Sequence, residues 1–266
     1  MDIGGMSMSA RDEFKLQPLG DCGLLITLGD VMNEMTLAKV SAVTERLEAQ
    51  STWAGFVECV PAYASVALYY NPYLVSLNRR PDEARDETVY QTVSNRVRAV
   101  LIGMPFGSAD GRALRTVRIP VCYGGDYGPD LGEVAAHAGL TTEEVVALHS
   151  GGKYTVYMIG FAPGFPYLGG MPETIAAPRR TAPRTIIPAG SVGIAGGQTG
   201  VYPIGTPGGW QIIGRTPMPL FRPRHSRPSL LEGGDRVEFV PITREQFEDW
   251  PTGAEENEDH DGGGAR

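Results

Sequence analysis

Hydrophobic and polar residues alternate along the first hundred positions with two distinct periods. Short apolar stretches bounded by turn residues are typical of strands, whereas apolar residues three and four positions apart are typical of an amphipathic helix. These patterns follow one another as strand, strand, helix, strand, strand, helix, at 14–17, 23–28, 33–50, 55–60, 64–70 and 82–102. Asn33 is a suitable N-cap for the first helix. We predict that residues 13–111 form a small α+β domain that ends in a linker at 105–111.

A different pattern begins after residue 112 and continues to residue 247. Residues 151–231 contain 15 glycines and 12 prolines in 81 positions, and β-branched and aromatic residues remain plentiful between them. The predicted elements are short helices at 129–138 and 141–149 and strands at 117–122, 154–159, 190–195, 211–213 and 231–242. Short strands with this punctuation predict a β-barrel or sandwich for the second domain, 112–247.

The two ends of the chain lack the apolar residues needed to enter a core. We predict that residues 1–12 and 252–266 are disordered tails. Residues 1–14 do not have the basic start and apolar stretch of a secretory signal. No apolar run approaches the roughly 18 residues needed to span a bilayer. We therefore expect a cytoplasmic location and no membrane partner.

The charge of the chain is unevenly distributed. Residues 151–231 carry eight basic residues and one acidic residue, a formal charge of +7, which leaves −15 on the rest of a chain whose total is −8. A cationic region on an acidic protein is suited to an anionic small molecule or to an acidic partner surface. Nucleic acid is disfavoured as a partner, because the rest of the chain would repel it.

Two segments of the cationic region are candidates for binding an anion. Arg179, Arg180 and Arg184 lie within Pro-Arg-Arg-Thr-Ala-Pro-Arg, where their guanidinium groups could hold a carboxylate or phosphate, or could form a solvated basic loop. In 193–200 the backbone amides of the glycines could hold an oxyanion and Gln198 could orient a carbonyl. The alternative for 193–200 is a set of tight barrel turns.

Further candidates are a histidine and a group of aromatic residues. His149 ends a predicted helix, where it could donate a proton or satisfy the last carbonyls of the helix. Phe161, Phe165, Tyr167 and Trp210 lie among turn residues and could line a pocket or close the mouth of the barrel with their own side chains. No phosphate-binding loop and no metal-ligand spacing are recognised, so we predict no metal site in this chain.

These same segments resemble a known family. Gly-Phe-Ala-Pro-Gly-Phe-Pro-Tyr-Leu-Gly-Gly, Pro-Arg-Arg-Thr-Ala-Pro-Arg, Gly-Ile-Ala-Gly-Gly-Gln-Thr-Gly and Pro-Gly-Gly-Trp are similar to the signature of the family of bacterial 5-oxoprolinase B subunits, also called allophanate hydrolase subunit 1 or KipI. The resemblance spans roughly residues 14–242. It implies a small α+β domain followed by a cyclophilin-like β-barrel. It further implies an ATP-dependent complex with an allophanate hydrolase subunit 2-like C component and a LamB/YcsF-like A component that opens 5-oxo-L-proline to L-glutamate.

The resemblance marks the motifs but assigns no role to each residue, so the roles are inferred from the chemistry of the reaction. Our hypothesis is that Arg180 and Arg184 hold the substrate carboxylate or a developing phosphate, and that His149 assists proton transfer. Gln198 and the amides near Gly196 and Gly197 would polarise the lactam carbonyl. The residues expected to bind substrate are Arg179, Gly196, Gly197, Phe165, Tyr167, Trp210 and Arg215. ATP with Mg would be used by the complex, at a site that is not located in this chain, and this chain would be inactive alone.

Besides a scaffold subunit with no catalytic residue of its own, two alternatives remain open. The same pair of domains resembles the carboxyltransferase part of urea carboxylases, which would act with a biotin-bearing partner. The KipI name instead implies a protein that inhibits a histidine kinase through a surface. One departure from the family pattern is Arg222, which stands where relatives usually have an acid after Leu-Phe. The acidic segment after Trp250 lies outside the resemblance.

Overall fold

The computed structural model describes residues 14–251 except 32, 51 and 105–114. The predicted tails and the predicted linker therefore lie outside the described residues. The described chain forms two compact units, one of residues up to Arg115 with Thr155–Ile159 and Glu232–Arg236, and one of the remaining residues. The continuous division into 13–111 and 112–247 stays a prediction. No helix within the described residues is both long enough and apolar enough to cross a membrane.

The amino-terminal part contains one antiparallel sheet and three helices. Its elements are β1 Lys15–Pro18, β2 Gly23–Thr27, α1 Glu34–Ala49, β3 Phe56–Pro61, β4 Ser65–Tyr70, α2 Pro72–Leu77 and α3 Val89–Leu101. The strand order is β1-β2-β4-β3. Alternate residues of the central strands, such as Ile26 and Leu68, are buried in one core with Val40 of α1 and Val93 of α3. The four predicted strands and the first helix are confirmed, and Asn33 caps α1 by accepting from the Thr36 amide.

The predicted helix at 82–102 is too long, and one helix was missed. Thr88 forms a capping box with Gln91, which starts α3 at Val89 and leaves the residues before it in turns. No helix is predicted between the strand at 64–70 and the helix at 82–102, yet Asn71-Pro72 follows that strand directly. In the structure the Asn71 side chain caps α2, and Pro72 stands at the first helical position, where its missing N–H costs nothing.

The rest of the chain is dominated by a closed barrel. Its elements are β5 Thr116–Tyr123, α4 Leu131–Ala138, α5 Thr142–Gly151, β6 Tyr154–Ile159, β7 Pro166–Gly169, β8 Arg184–Ile187, β9 Ser191–Ala195, β10 Gln198–Val201, β11 Thr206–Gly208, β12 Gln211–Arg215, β13 Arg236–Pro241 and α6 Arg244–Glu248. Seven strands close in the order β10-β7-β6-β13-β5-β12-β9, while β8 and β11 form a separate two-stranded ribbon. The predicted α+β class with a β-barrel after the amino-terminal α+β unit is confirmed, and the Thr141 side chain caps α5.

Candidate functional site

A small cavity brings together several of the residues expected to bind substrate. The cavity, called the aromatic pocket below, has a volume of about 140 Å³. Its lining residues are Phe161, Phe165, Tyr167, Arg179, Tyr202, Pro207, Gly208, Gly209 and Trp210. They come from the loop before β7, from β7 itself, from the 178–184 segment, from the end of β10, from β11 and from the turn into β12. Tertiary folding therefore joins at one site two glycine-rich motifs, 160–170 and 207–210, and the arginine segment 178–184, which stand apart in the chain.

The walls of the aromatic pocket are held by edge contacts between rings. The Phe165 ring lies 5.1 Å from Tyr167, 5.4 Å from Tyr202 and 5.6 Å from Trp210, measured between centroids, and all three contacts are close to edge-on. Such pairs prefer this geometry because the positive edge of one ring meets the negative face of another. At Gly208 an added Cβ would stand 2.6 Å from the Tyr202 hydroxyl, so only glycine lets β11 approach that ring. The walls are thus preformed.

Tyr202 stays protonated in this environment. Burial raises the pKa of its hydroxyl to about 12, although a hydrogen bond to the backbone of Trp210 and the nearby charge of Arg179 act in the opposite direction. The ring therefore contributes a neutral, largely apolar wall at physiological pH. The cationic character of the pocket comes from Arg179.

Arg179 is the cation of the aromatic pocket. It is exposed, it lines the cavity, and within the described part of the chain its side chain makes no ion pair. A guanidinium group without an acidic partner, beside apolar walls, is suited to a carboxylate or phosphate. Of the three arginines in this segment, Arg179 is the one placed to bind an anionic ligand in the aromatic pocket.

The other two arginines of the segment are bound to a buried carboxylate. Arg180 Nη1 lies 2.7 Å from Asp130 Oδ1, and Arg184 forms a two-pronged pair with both oxygens at 2.7 and 2.8 Å. The Ile212 amide donates to Asp130 Oδ2 at 2.6 Å, which gives this 2% exposed carboxylate four donors. The hydrogen bond to Asp130 raises the pKa of Arg184, so that its charge is firmly retained. We expected Arg180 and Arg184 to hold substrate, but the structure directs both of them to Asp130.

The 178–184 segment is also anchored through its backbone. The Arg180 amide donates to the Gly209 carbonyl at 2.8 Å, and Gln211 Nε2 donates to the Pro178 carbonyl at 3.1 Å. Together with the Asp130 ion pairs, these bonds fix the peptide on both sides of Arg179. Arg180 and Arg184 are thus positioning residues, because they hold in place the segment that carries Arg179.

Sequence reasoning missed Asp130. Asp130 lies outside the basic segment 151–231, directly after Pro129 at the start of a predicted helix. Its side chain does not cap α4 but turns to the arginines instead. The surplus of arginines in 151–231 is the signal that could have indicated Asp130. An arginine that is buried needs a carboxylate partner, and this segment has almost none of its own.

The remaining glycine and polar candidates do not line the aromatic pocket. Gly196 and Gly197 form the turn between β9 and β10, and the Gly196 amide donates to the Ala177 carbonyl at 2.7 Å. This amide is therefore not available to an oxyanion in this conformation. Gln198 is half-buried next to the turn, where it pairs with Ala195 across the hairpin. Arg215 Nε donates to the Ala189 carbonyl at 2.8 Å.

His149 is buried in the interior of the barrel unit. Tyr123 Oη lies 2.8 Å from Nδ1, and Thr199 Oγ1 lies 2.9 Å from Nε2. The Thr199 hydroxyl donates to the Gly193 carbonyl, so it accepts from Nε2–H, and Nδ1 accepts from the tyrosine. The ring also stacks on Phe239 at 4.6 Å. The expected alternative, a cap on the last carbonyls of the helix, is wrong, because the ring points inward and Tyr154 donates to the His149 carbonyl.

Burial of His149 predicts that the protein loses stability in mild acid. Burial lowers the pKa of the imidazole to about 3, whereas the unfolded chain titrates near its usual value of about 6.5. The unfolded state then binds the extra proton, so stability is full above about pH 6.5 and falls as the pH drops towards the folded pKa. We expect a loss of about 2 kcal/mol between about pH 6.5 and 5.

Urea unfolding at several pH values measures this loss. We expect His149→Gln to abolish this part of the pH dependence while lowering stability at neutral pH. His137→Gln replaces an exposed histidine on α4 and should keep the wild-type pH dependence. An equal slope in the wild type and in His149→Gln would contradict a neutral, buried His149.

A larger groove lies elsewhere in the barrel unit. It has a volume of about 720 Å³ and runs along α4, α5 and the glycine-rich turn after β5. None of the predicted site residues lines it, and its charged lining residue is the acid Glu143. The groove therefore does not match an anionic ligand, although it is larger than the aromatic pocket.

Comparison with known proteins places the chain in a family. Residues 14–231 match the family model described as the carboxyltransferase domain, subdomain C and D. Over 235 residues the chain is 46% identical to the 5-oxoprolinase B subunit of Bacillus subtilis (strain 168), an alignment covering 88% of this chain and 95% of that protein. The chain therefore belongs to the family of 5-oxoprolinase B subunits. The resemblance seen in the sequence is confirmed.

Solved structures share the fold. The crystal structure of TTHA0988 in space group P212121 superposes with a TM-score of 0.67 at 34% identity, covering 83% of this chain. This chain spans 40% of the length of that protein. The crystal structure of the Kluyveromyces lactis urea carboxylase superposes with a TM-score of 0.66 at 18% identity, over 88% of this chain and 22% of that one. At this identity the second likeness shows the fold alone.

Proposed function

We propose that this chain is the B subunit of an ATP-dependent 5-oxoprolinase that hydrolyses 5-oxo-L-proline to L-glutamate together with the A and C components. The observation that carries the proposal is the 46% identity, over 88% of the chain, to a protein named as the B subunit of 5-oxoprolinase. The aromatic pocket supports it, because a cavity of about 140 Å³ with one cation suits a small cyclic carboxylate.

The chemistry of the reaction explains what the pocket would contribute. A lactam is an unactivated amide, so its opening needs activation of the carbonyl oxygen, which ATP would supply in the complex. Arg179 would bind the substrate carboxylate, and the rings of Phe165 and Trp210 would hold the five-membered ring and keep water from its faces. Orientation of the ring is thus the role that we assign to this chain.

ATP and Mg remain part of the proposal for the complex only. The residues that the structure describes bring no three His, Cys, Asp or Glu side chains together as metal ligands. The proposal assigns no nucleotide-binding or metal-binding residues to this chain. We propose that the partners, an allophanate hydrolase subunit 2-like C component and a LamB/YcsF-like A component, complete the site.

Reconstitution tests the proposal. We expect ATP-dependent release of glutamate from 5-oxo-L-proline when the purified chain is mixed with the A and C components. We expect none when any one of the three proteins is omitted, and none from this chain alone. Assembly is checked in parallel by size-exclusion chromatography. A complex that assembles but releases no glutamate would refute the proposal.

A second candidate is carboxyl transfer from a biotin-bearing partner, which the carboxyltransferase family model favours. It predicts that the chain carboxylates urea or a related amide when a carboxybiotin carrier is supplied, without release of glutamate. Inhibition of a histidine kinase stays a prediction. It would use a surface and should therefore survive replacement of Arg184 or Gln198.

A further inference from the structure

Phe161 combines two unfavourable features at one position. Its φ is +61°, in the left-handed region that a bulky residue rarely adopts, and it is the one non-glycine residue with positive φ in the described chain. Its ring is 65% exposed, although an aromatic side chain gains most when it is withdrawn from water. Residues with strained backbone cluster at functional sites, where the surrounding structure maintains them.

Neighbouring bonds impose this conformation on the loop that carries Phe161. The Gly160 amide donates to the Phe165 carbonyl at 3.0 Å, and the Phe165 amide donates back to the Ala162 carbonyl at 3.0 Å. Gly164, with φ +78°, packs so closely that an added Cβ would lie 3.1 Å from the Leu220 carbonyl oxygen. The loop is thus closed on itself and held against the next segment, which leaves Phe161 little freedom to relax.

The exposed ring of Phe161 is part of the aromatic pocket. It lines the cavity and meets Phe165 edge-on at 5.4 Å between centroids. The same cavity contains Arg179, its one cationic lining residue, and no acidic one. A ligand in this cavity therefore meets aromatic walls, one positive charge and, on the solvent side, the ring of Phe161.

We propose that Phe161 is a specificity-determining residue that covers one face of a ring-bearing monocarboxylate bound to Arg179, so that the pocket rejects open-chain dicarboxylates. The choice of 5-oxo-L-proline and L-glutamate as the ligand pair rests on the proposed function. Opening the lactam creates a second carboxylate and an ammonium group. The pocket has no second cationic lining residue to pair with the second carboxylate, and desolvation of an unpaired charge against aromatic walls is costly. The pocket thus retains the substrate and releases the product.

Calorimetric titration of the full chain tests the selectivity. We expect the wild type to bind 5-oxo-L-proline at least about tenfold more tightly than L-glutamate, and Phe161→Ala to lose most of this preference. Ile186→Ala removes an equally exposed apolar side chain on β8, outside the pocket, and should leave both affinities unchanged.

A second variant separates this role from a structural one. Phe161→Gly removes the ring and also relieves the left-handed strain, so its melting temperature should exceed that of Phe161→Ala. Both variants should lose selectivity to the same extent. Unchanged selectivity in both variants would overturn the proposal, as would the absence of 5-oxo-L-proline binding to the wild-type chain and to the assembled complex.

The assembled complex distinguishes this proposal from the proposed function. Turnover of 5-oxo-L-proline with an unchanged KM and unchanged glutamate inhibition in Phe161→Ala would overturn the role of Phe161 and leave the function intact. Selective binding that depends on Phe161, in a complex without turnover, would refute the function and support the role of Phe161.

Discussion

Asp130→Asn is expected to lower the free energy of unfolding by about 3 kcal/mol. The carboxylate is 2% exposed and receives hydrogen bonds from Arg180, Arg184 and the Ile212 amide. Asparagine keeps the shape of the side chain, but it removes the charge and turns an amide group towards donors that need an acceptor. Two guanidinium groups, each about a quarter exposed, then lose their buried counter-ion. Removing one partner of a buried pair costs more than the pair itself contributes.

Urea unfolding of Asp130→Asn and a matched control measures this effect. Glu133 is a suitable control, because its carboxylate also reaches Arg180 Nη1, at 3.5 Å, but is 63% exposed. Glu133→Gln should change stability by no more than about 0.5 kcal/mol, as is usual for surface ion pairs. If both variants lost only a small and similar amount of unfolding free energy, the prediction that the buried Asp130 carboxylate strongly stabilises the fold would be wrong.

Arg179→Gln is expected to weaken binding of 5-oxo-L-proline by about 10- to 100-fold, which corresponds to the loss of a hydrogen-bonded ion pair with the carboxylate. In the assembled complex we expect a higher KM with little change in kcat, because Arg179 would bind the carboxylate equally in the ground state and in the transition state. The unfolding free energy should stay near that of the wild type, since Arg179 is exposed and has no ion pair among the described residues.

Two further variants define the Arg179 experiment. Lys153→Gln removes one positive charge from the same basic segment without touching the aromatic pocket, and it should leave KM unchanged. Arg184→Gln should lower stability, because it breaks the paired bonds to Asp130, and it should affect KM only through the position of Arg179. A KM that rises as much in Lys153→Gln as in Arg179→Gln would indicate general charge attraction instead of a specific contact.

Much of the fold was predictable because its signals are local. The period of apolar residues located α1 and the four amino-terminal strands, and the density of glycine and proline predicted the barrel. The errors also have local causes: the missed helix α2 is only six residues long and begins at a proline, and α3 starts later than predicted because Thr88 caps it. A helix start depends on which single side chain caps it. Several residues near each boundary have side chains able to cap, so the sequence did not show which one does.

The candidate site was predictable in composition but not in the roles of its residues. Phe165, Tyr167, Arg179 and Trp210 were all expected to bind substrate, and they line one pocket. The three arginines of the 178–184 segment, however, look alike in the sequence. Their roles differ because a carboxylate about fifty positions away in the chain pairs with two of them.

The sequence alone determined the class of fold, the family and the segments that carry the candidate chemistry, since strand period, turn residues and motif order depend on neighbours along the chain. Tertiary structure decided that His149 is a neutral, buried residue bonded to Tyr123 and Thr199, and that Arg179 is the cation left to a ligand. The physical reason is that pKa values and ion pairs depend on burial and on partners distant in sequence, which only the folded chain brings within hydrogen-bonding distance.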